Sequence, residues 1–217
     1  MSDIHVITIG NFNLLTLSNE NTHDATHNNE ANALAATLLT GEFPSKCVPM
    51  EVHGEKEVEV KSKKYKVHIE DTLAIAGIIE TGKPREGQEL LVSQYLFSPD
   101  QVWLLVFSVG NRDTFTNIEN LWYPHVQYLT QAKWKQNPRC VLVGTQSELR
   151  ESNTQTDLVS SKDAKLVAKQ LGCSTYVEVS TAKVENIDEL FAQIVKAVAA
   201  GPPKTNKTYM KKVNLKK

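Results

Sequence analysis

Three polar residues that follow a short apolar run carry the side chains best placed in this sequence to bind a ligand. The run, residues 140–143, is short, unbroken and partly β-branched, which is typical of a strand buried on both faces of a parallel sheet. Thr145, Gln146 and Glu148 follow it closely. In open α/β sheets, ligands bind outside the carboxyl ends of the strands. The sequence therefore predicts a ligand site that includes this hydroxyl, this amide and this carboxylate.

Strand and helix patterns alternate along the chain and would position that site. Apolar runs and apolar–polar alternation predict strands at residues 5–10, 57–60, 65–69, 102–107, 140–143 and 176–179. Helical periodicity with start and stop signals predicts helices at about residues 30–39, 90–97, 111–126, 160–172 and 186–199. The segment 61–64 is expected to join the second and third strands as a hairpin. We therefore predict an α/β fold with a mostly parallel six-stranded sheet, one antiparallel hairpin and helices on both faces.

Length, net charge and cysteine content limit the kinds of protein that this sequence can encode. The 217 residues allow one ordinary domain, predicted here as residues 1–200, and the net charge of −1 gives no signal for nucleic acid. Three scattered cysteines and the lack of a long apolar stretch predict a cytoplasmic protein with reduced thiols. His23 and His27 have the spacing of a helical metal site but lie in a polar, Asn-rich segment, so we predict no metal site there.

Several motifs resemble those of Rho- and Rac-type small GTPases. Residues 143–150, Val-Gly-Thr-Gln-Ser-Glu-Leu-Arg, resemble the guanine-reading loop of that family, usually Val-Gly-Thr-(Lys/Gln)-x-Asp-Leu-Arg. Phe43-Pro44 and Trp122-Tyr-Pro124 resemble the segments after the first helix and within the third. The resemblance implies a Ras-like, P-loop NTPase-type three-layer sandwich. It also implies GTP or GDP with magnesium as the ligand of any active protein of this type.

The phosphate side of the site departs from that family. A phosphate loop G-x4-G-K-[ST] beginning at Gly10 would need glycine, lysine and serine or threonine at positions 15–17, where Leu, Thr and Leu stand. Counting back from Phe43 instead puts Glu30, Ala31 and Asn32 at those three positions. By either count the phosphate-binding lysine is missing. Met50 stands at the magnesium-binding threonine of the family, and Glu148 replaces the guanine-binding aspartate.

The resemblance to Rho-type GTPases implies that individual positions of this sequence correspond to nucleotide contacts of that family. Asp71-Thr72 matches the start of the family's Asp-Thr-Ala-Gly, and residues 180–182 resemble its second guanine loop. Gln88 is the candidate for the water-orienting glutamine, although an insertion at residues 73–86 favours an exposed loop position for it. The predicted relic nucleotide contacts are Gly10, Asn32, Asp71, Thr72, Thr145, Gln146, Glu148, Ser180, Thr181 and Ala182.

Two functions remain open at this point. The first is a pseudo-GTPase that binds GTP weakly or not at all and acts as a signalling and docking protein. It would offer residues 46–54 and 87–97, which correspond to the family's switches, to effector or regulator proteins. The second is a divergent active GTPase that controls cytoskeletal signalling and rebuilds its phosphate contacts from other residues.

Three polar or charged segments are expected to be mobile. They are residues 18–29, residues 73–86 and the lysine-rich tail at 201–217. The tail contains no acidic residue, which favours weak contact with anionic membranes. It lacks the prenylated cysteine of the family, so we predict at most peripheral membrane contact.

Overall fold

The computed structural model describes residues 2–11, 30–44, 52–72, 98–151 and 157–203. Several sequence predictions lie outside these residues. They concern both insertions, Met50, Gln88, the helix at 90–97, most of the two switch-like segments and the tail.

A six-stranded sheet forms the centre of the described structure. Its strand order is β2-β3-β1-β4-β5-β6; β2 is antiparallel to β3, and every other neighbouring pair is parallel. The predicted fold class is therefore confirmed. The strands are β1 (Ser2–Gly10), β2 (His53–Val60), β3 (Lys63–Asp71), β4 (Val102–Ser108), β5 (Arg139–Thr145) and β6 (Tyr176–Glu178).

The hairpin turn is shorter than the sequence indicated. Residues 61–64 were expected to connect β2 and β3, but Lys63 pairs with Val60 and Lys64 pairs with Glu59. The connection is therefore only Lys61-Ser62, with left-handed φ values of 51° and 61°. Two left-handed residues match the right-handed twist of the flanking strands. The prediction was wrong because lysine carries no marker of such a turn, unlike glycine or asparagine.

Five α-helices accompany the sheet in the described residues: α1 (Glu30–Thr40), α2 (Arg112–Asn117), α3 (Tyr123–Trp134), α4 (Ser161–Leu171) and α5 (Ile187–Ala200). A π-helical turn, Ile118–Trp122, joins α2 to α3. It ends at Trp122, two residues before Pro124, which has no N–H to donate and would clash with a carbonyl of a regular helix. The wider turn makes room for that ring, so the predicted helix 111–126 continues to Trp134.

The two faces of the sheet bury separate apolar cores. On one face α1 and α5 pack through residues such as Leu34, Leu38, Leu190 and Ile194. On the other face α2, α3, the π-helical turn and α4 pack through residues that include Ile118, Trp122, Val126, Ala164 and Leu171. Every residue of β4 and β5 is buried, as expected for strands covered on both sides. The result is a three-layer α/β sandwich.

Candidate functional site

The carboxyl ends of four strands and the beginning of α1 meet at one edge of the sheet. In the strand register, Asp71 lies beside Thr8, Gly10 beside Val106 and Thr145 beside Ser108. Glu30 at the start of α1 contacts Thr145. We call this region the carboxyl edge. Most of the predicted site residues in the described part of the chain lie in it or in the loops beside it.

Asp71 is held by protein groups on several sides. Its Oδ2 accepts a hydrogen bond from Asn32 Nδ2 at 2.5 Å and another from the Val52 N–H at 3.0 Å. The Asp71 N–H donates to the Val52 carbonyl at 3.0 Å. Thr72 is also buried, and its hydroxyl donates to the Thr8 carbonyl at 2.9 Å. These contacts connect α1, the chain entering β2, β1 and the end of β3.

A second carboxylate lies at the same edge. Glu30 Oε2 accepts a hydrogen bond from Thr145 Oγ1 at 2.5 Å. Burial raises the pKa of the Glu30 carboxyl to about 7; the bond from Thr145 lowers it, and the negative charge of Glu148 raises it further. Glu30 was only an alignment position among the sequence predictions and was not predicted as a site residue. The feature of the sequence that could have identified Glu30 is an acidic residue at a position where the Rho family has glycine.

The raised pKa of Glu30 makes stability dependent on pH. The folded chain holds this proton with a pKa of about 7, against about 4.5 in the unfolded chain. The stabilisation is therefore complete below pH ~4.5 and is lost as pH rises through 7, up to about 3 kcal/mol in total. Urea unfolding at a series of pH values should show this decline for the natural chain. In Glu30→Gln the decline over this window should be absent, and an identical decline in both proteins would contradict the assignment.

The guanine-type loop after β5 has two further polar side chains. Gln146 has a left-handed backbone, with φ of 59°, and its Oε1 accepts from Ser108 Oγ at 2.5 Å. Glu148 lies in a single 3-10 turn, Ser147–Arg150. Its Oε2 is buried and has no hydrogen-bond partner among the described residues. The loop thus presents a carboxylate oxygen that no protein donor in that part of the chain satisfies.

The second guanine-type loop lies beside the first. The Ser147 N–H donates to the Val179 carbonyl at 3.2 Å, which joins the two loops. Ser180 is fully buried, and its Oγ accepts from the Lys183 N–H at 3.0 Å. Thr181 is buried and Ala182 is exposed. Residues 180–182 therefore lie next to residues 145–148.

An ion pair that the sequence analysis missed anchors the first of these loops. Arg150 Nε and Nη2 donate to the Glu178 carboxylate at 2.5 and 2.9 Å, and Tyr176 donates to Glu178 Oε1 at 2.8 Å. Burial disfavours the ionised form, but the hydrogen bonds from Arg150, Ser161 and Tyr176 hold the pKa of Glu178 below its usual range. Fork-shaped pairing of this kind is geometrically specific. It ties the 3-10 turn to β6.

Gly10 has a packing role at this edge. A Cβ atom at Gly10 would lie 2.6 Å from the carbonyl oxygen of Val106 on β4. The close approach of the two strands therefore requires glycine, whether or not a phosphate binds nearby.

The described parts of the chain contain neither a metal-binding cluster nor a membrane-spanning helix. No group of three or more His, Cys, Asp or Glu residues there could hold a metal ion. None of the helices in those parts is long and apolar enough to cross a membrane.

Comparison with known proteins identifies the family. A model described as the Ras family matches residues 32–200. The chain belongs to the Ras family. The match begins at Asn32 and so leaves out β1 and the region where the sequence departs most from a phosphate loop. Active Ras-family proteins bind GTP or GDP with magnesium.

Similar proteins with Rho names show that this Ras-family chain is a Rho-type small GTPase homologue. GTP-binding protein RHO4 of Saccharomyces cerevisiae is 34% identical over 90 residues, which are 42% of this chain and 29% of that protein. Ras-like GTP-binding protein RhoL of Drosophila melanogaster is 30% identical over 105 residues, 48% of this chain and 52% of RhoL. Ras-like GTP-binding protein RHO1 of Entamoeba histolytica is 28% identical over 172 residues, 78% and 71% of the two chains. The matched part of this chain thus spans about half or less of the length of the first two relatives. Rho-type GTPases generally bind effectors and regulators.

Proposed function

We propose that this Rho-type chain is a pseudo-GTPase, a signalling and docking protein that binds guanine nucleotides weakly or not at all. The observation that carries the proposal is the bond of 2.5 Å between Asn32 Nδ2 and Asp71 Oδ2. At the position of Asn32, the resemblance implies a serine or threonine hydroxyl that binds magnesium. The Asn32 Nδ2–H that meets Asp71 is a donor and cannot ligate a cation, which leaves only the amide oxygen of this side chain as a possible ligand. In this protein the Asn32 amide and the Val52 N–H both donate to Asp71 Oδ2, so that oxygen has no lone pair left for a metal ion.

The charge of the site supports the same proposal. Glu30 introduces a carboxyl group where the family has a glycine without a side chain, and it faces the loop of Thr145 and Glu148. A nucleoside diphosphate brings several negative charges, and binding it requires N–H donors and cations that replace its water. Above pH 7 the ionised Glu30 would instead repel it.

The missing lysine removes the main positive contact. Ala31 stands at the lysine position in the alignment on Phe43, and it is buried in the core beneath α1 rather than exposed to a ligand. A methyl group cannot stabilise phosphate charge or the transition state of its transfer. Binding would then depend on the guanine loops alone. Their affinity is expected to lie between micromolar and millimolar, about 4–8 kcal/mol.

We infer a docking role because the chain has the fold of the family but lacks the family's phosphate contacts. We assign effector or regulator binding to residues 46–54 and 87–97, and signalling to the actin cytoskeleton as the family-level role. The domain would span residues 1–200 in the cytoplasm, and the lysine-rich tail at 201–217 would give peripheral, salt-sensitive contact with anionic membranes.

Calorimetry with GDP and GTP in the presence of magnesium tests the proposal. We expect a Kd no tighter than about 1 μM for either nucleotide, and no steady GTP turnover. Glu148→Asp, which restores the family's guanine-binding residue, should not produce tight binding because the phosphate side still lacks its lysine. Nanomolar binding or sustained turnover by the natural chain would restore the alternative, a divergent active GTPase.

A further inference from the structure

Two cysteine thiols lie together at the amino end of β5, on the opposite side of the sheet from the carboxyl edge. Cys140 is the second residue of β5 and is fully buried, whereas Cys173 lies between α4 and β6 and is half-buried. Both thiols are free. They belong to the same apolar core, in which Cys173 packs against the cluster that contains Cys140.

Backbone hydrogen bonds fix the loop of Cys173 against β5. The Ser174 N–H donates to the Cys140 carbonyl at 2.8 Å, and the Leu142 N–H donates to the Thr175 carbonyl at 3.0 Å. The Cys173 N–H is itself bonded to the Ala168 carbonyl at 2.9 Å, at the end of α4. The loop is therefore held on both sides, and the two cysteines need no large backbone movement to meet.

The side chains complete this arrangement. The Cys173 side chain packs against the cluster that contains Cys140. Burial, together with the neighbouring Cys173 thiol, raises the pKa of the Cys140 thiol well above its usual value. Because Ser174, the residue after Cys173, is hydrogen-bonded to the backbone of Cys140, rotation about the side-chain bonds can bring the two sulfur atoms to disulfide geometry. Because Cys173 is the more exposed of the two, an oxidant in solution reaches it first.

We propose that Cys140 and Cys173 form a redox modification site, at which a peroxide oxidises the pair to an intramolecular disulfide. This inference is independent of the proposed pseudo-GTPase function, because the pair is remote from the carboxyl edge. The cross-link would join β5 to the loop that leads into β6.

The reaction balances with hydrogen peroxide as the oxidant. The Cys173 sulfur attacks the peroxide, an S–O bond forms, the O–O bond breaks, and one water leaves with a sulfenic acid on Cys173. The Cys140 sulfur then attacks the sulfenic sulfur, the S–S bond forms, the S–O bond breaks, and a second water leaves. Together the two thiols lose two protons and two electrons, which reduce the peroxide to two waters.

Peptide mapping of the full chain tests the proposal. The third cysteine, Cys47, lies outside the described residues, so the experiment uses Cys47→Ser to leave only the pair. After treatment with hydrogen peroxide, free thiols are blocked with N-ethylmaleimide and the protein is digested with trypsin. We expect peptide 140–150 to be joined to peptide 170–183, and dithiothreitol to separate them.

Matched variants test which cysteines form the disulfide, and an isotope control tests whether it forms within one chain. Cys173→Ser should abolish the cross-link, whereas Cys140→Ala should leave a sulfenic acid on Cys173 that dimedone captures. Oxidation of a mixture of ¹⁴N and ¹⁵N protein should give cross-linked peptides of one isotope only. The proposal is overturned if both cysteines of the Cys47→Ser protein are recovered as N-ethylmaleimide adducts after peroxide treatment. It is equally overturned if the linked peptides are isotopically mixed, which would indicate bonds between chains.

Discussion

Replacing Asp71 with alanine is expected to destabilise the folded chain by about 2–5 kcal/mol. Asp71 is 5% exposed, and its carboxylate accepts from Asn32 Nδ2 and from the Val52 N–H. Without that carboxylate, both buried donors lose this acceptor, and each lost bond of this kind costs about 1–3 kcal/mol. Urea unfolding should show the loss as a lower midpoint with an unchanged slope.

Two controls separate this effect from a general loss of charge and from a metal role. Asp157→Ala makes the same chemical change at an exposed carboxylate, 3.6 Å from Arg112, and should cost less than about 1 kcal/mol. Magnesium should not change the unfolding midpoint of the natural chain, because the acceptor is already bonded to Asn32. If magnesium stabilises the natural chain and Asp71→Ala removes that stabilisation, the position holds a metal ion and the proposed role is wrong.

Replacing Trp122 with alanine is expected to destabilise the chain by about 3–5 kcal/mol. Trp122 is fully buried in the π-helical turn and packs in the core beneath α2 and α3. Truncation removes its apolar contacts and leaves a cavity that the surrounding sheet and helices only partly fill. Its Nε1–H also donates to Asn11 Oδ1 at 2.7 Å, which holds the chain just after β1.

Trp122→Phe separates the ring from the hydrogen bond. Phenylalanine keeps most of the buried apolar volume but cannot donate to Asn11, so a smaller cost of about 1–2 kcal/mol is expected. The comparison is made by urea unfolding of the two variants beside the natural chain. Equal losses in both variants would show that the hydrogen bond, and not the packing of the ring, provides the stability.

The sequence by itself was sufficient for the fold class and for the loops around the candidate site. Strand and helix patterns are local and repeat every few residues, so β4, β5, α4 and α5 were placed within a few residues of their observed bounds. The loop of Thr145, Gln146 and Glu148 was likewise found at a strand end. The hairpin turn was misplaced because Lys61 and Ser62 adopt left-handed conformations for which their residue types give little sign.

Only the tertiary structure determined what the polar side chains of the site contact. Asn32 meets Asp71 across 39 residues of sequence, and Glu30 meets Thr145 across 115. Such pairs depend on strand register and on how α1 packs against the sheet, and neither is encoded in a local pattern of residue types. The same holds for the contact between Cys140 and Cys173, because the pKa of a group and the partner of a thiol follow from burial and neighbours in space.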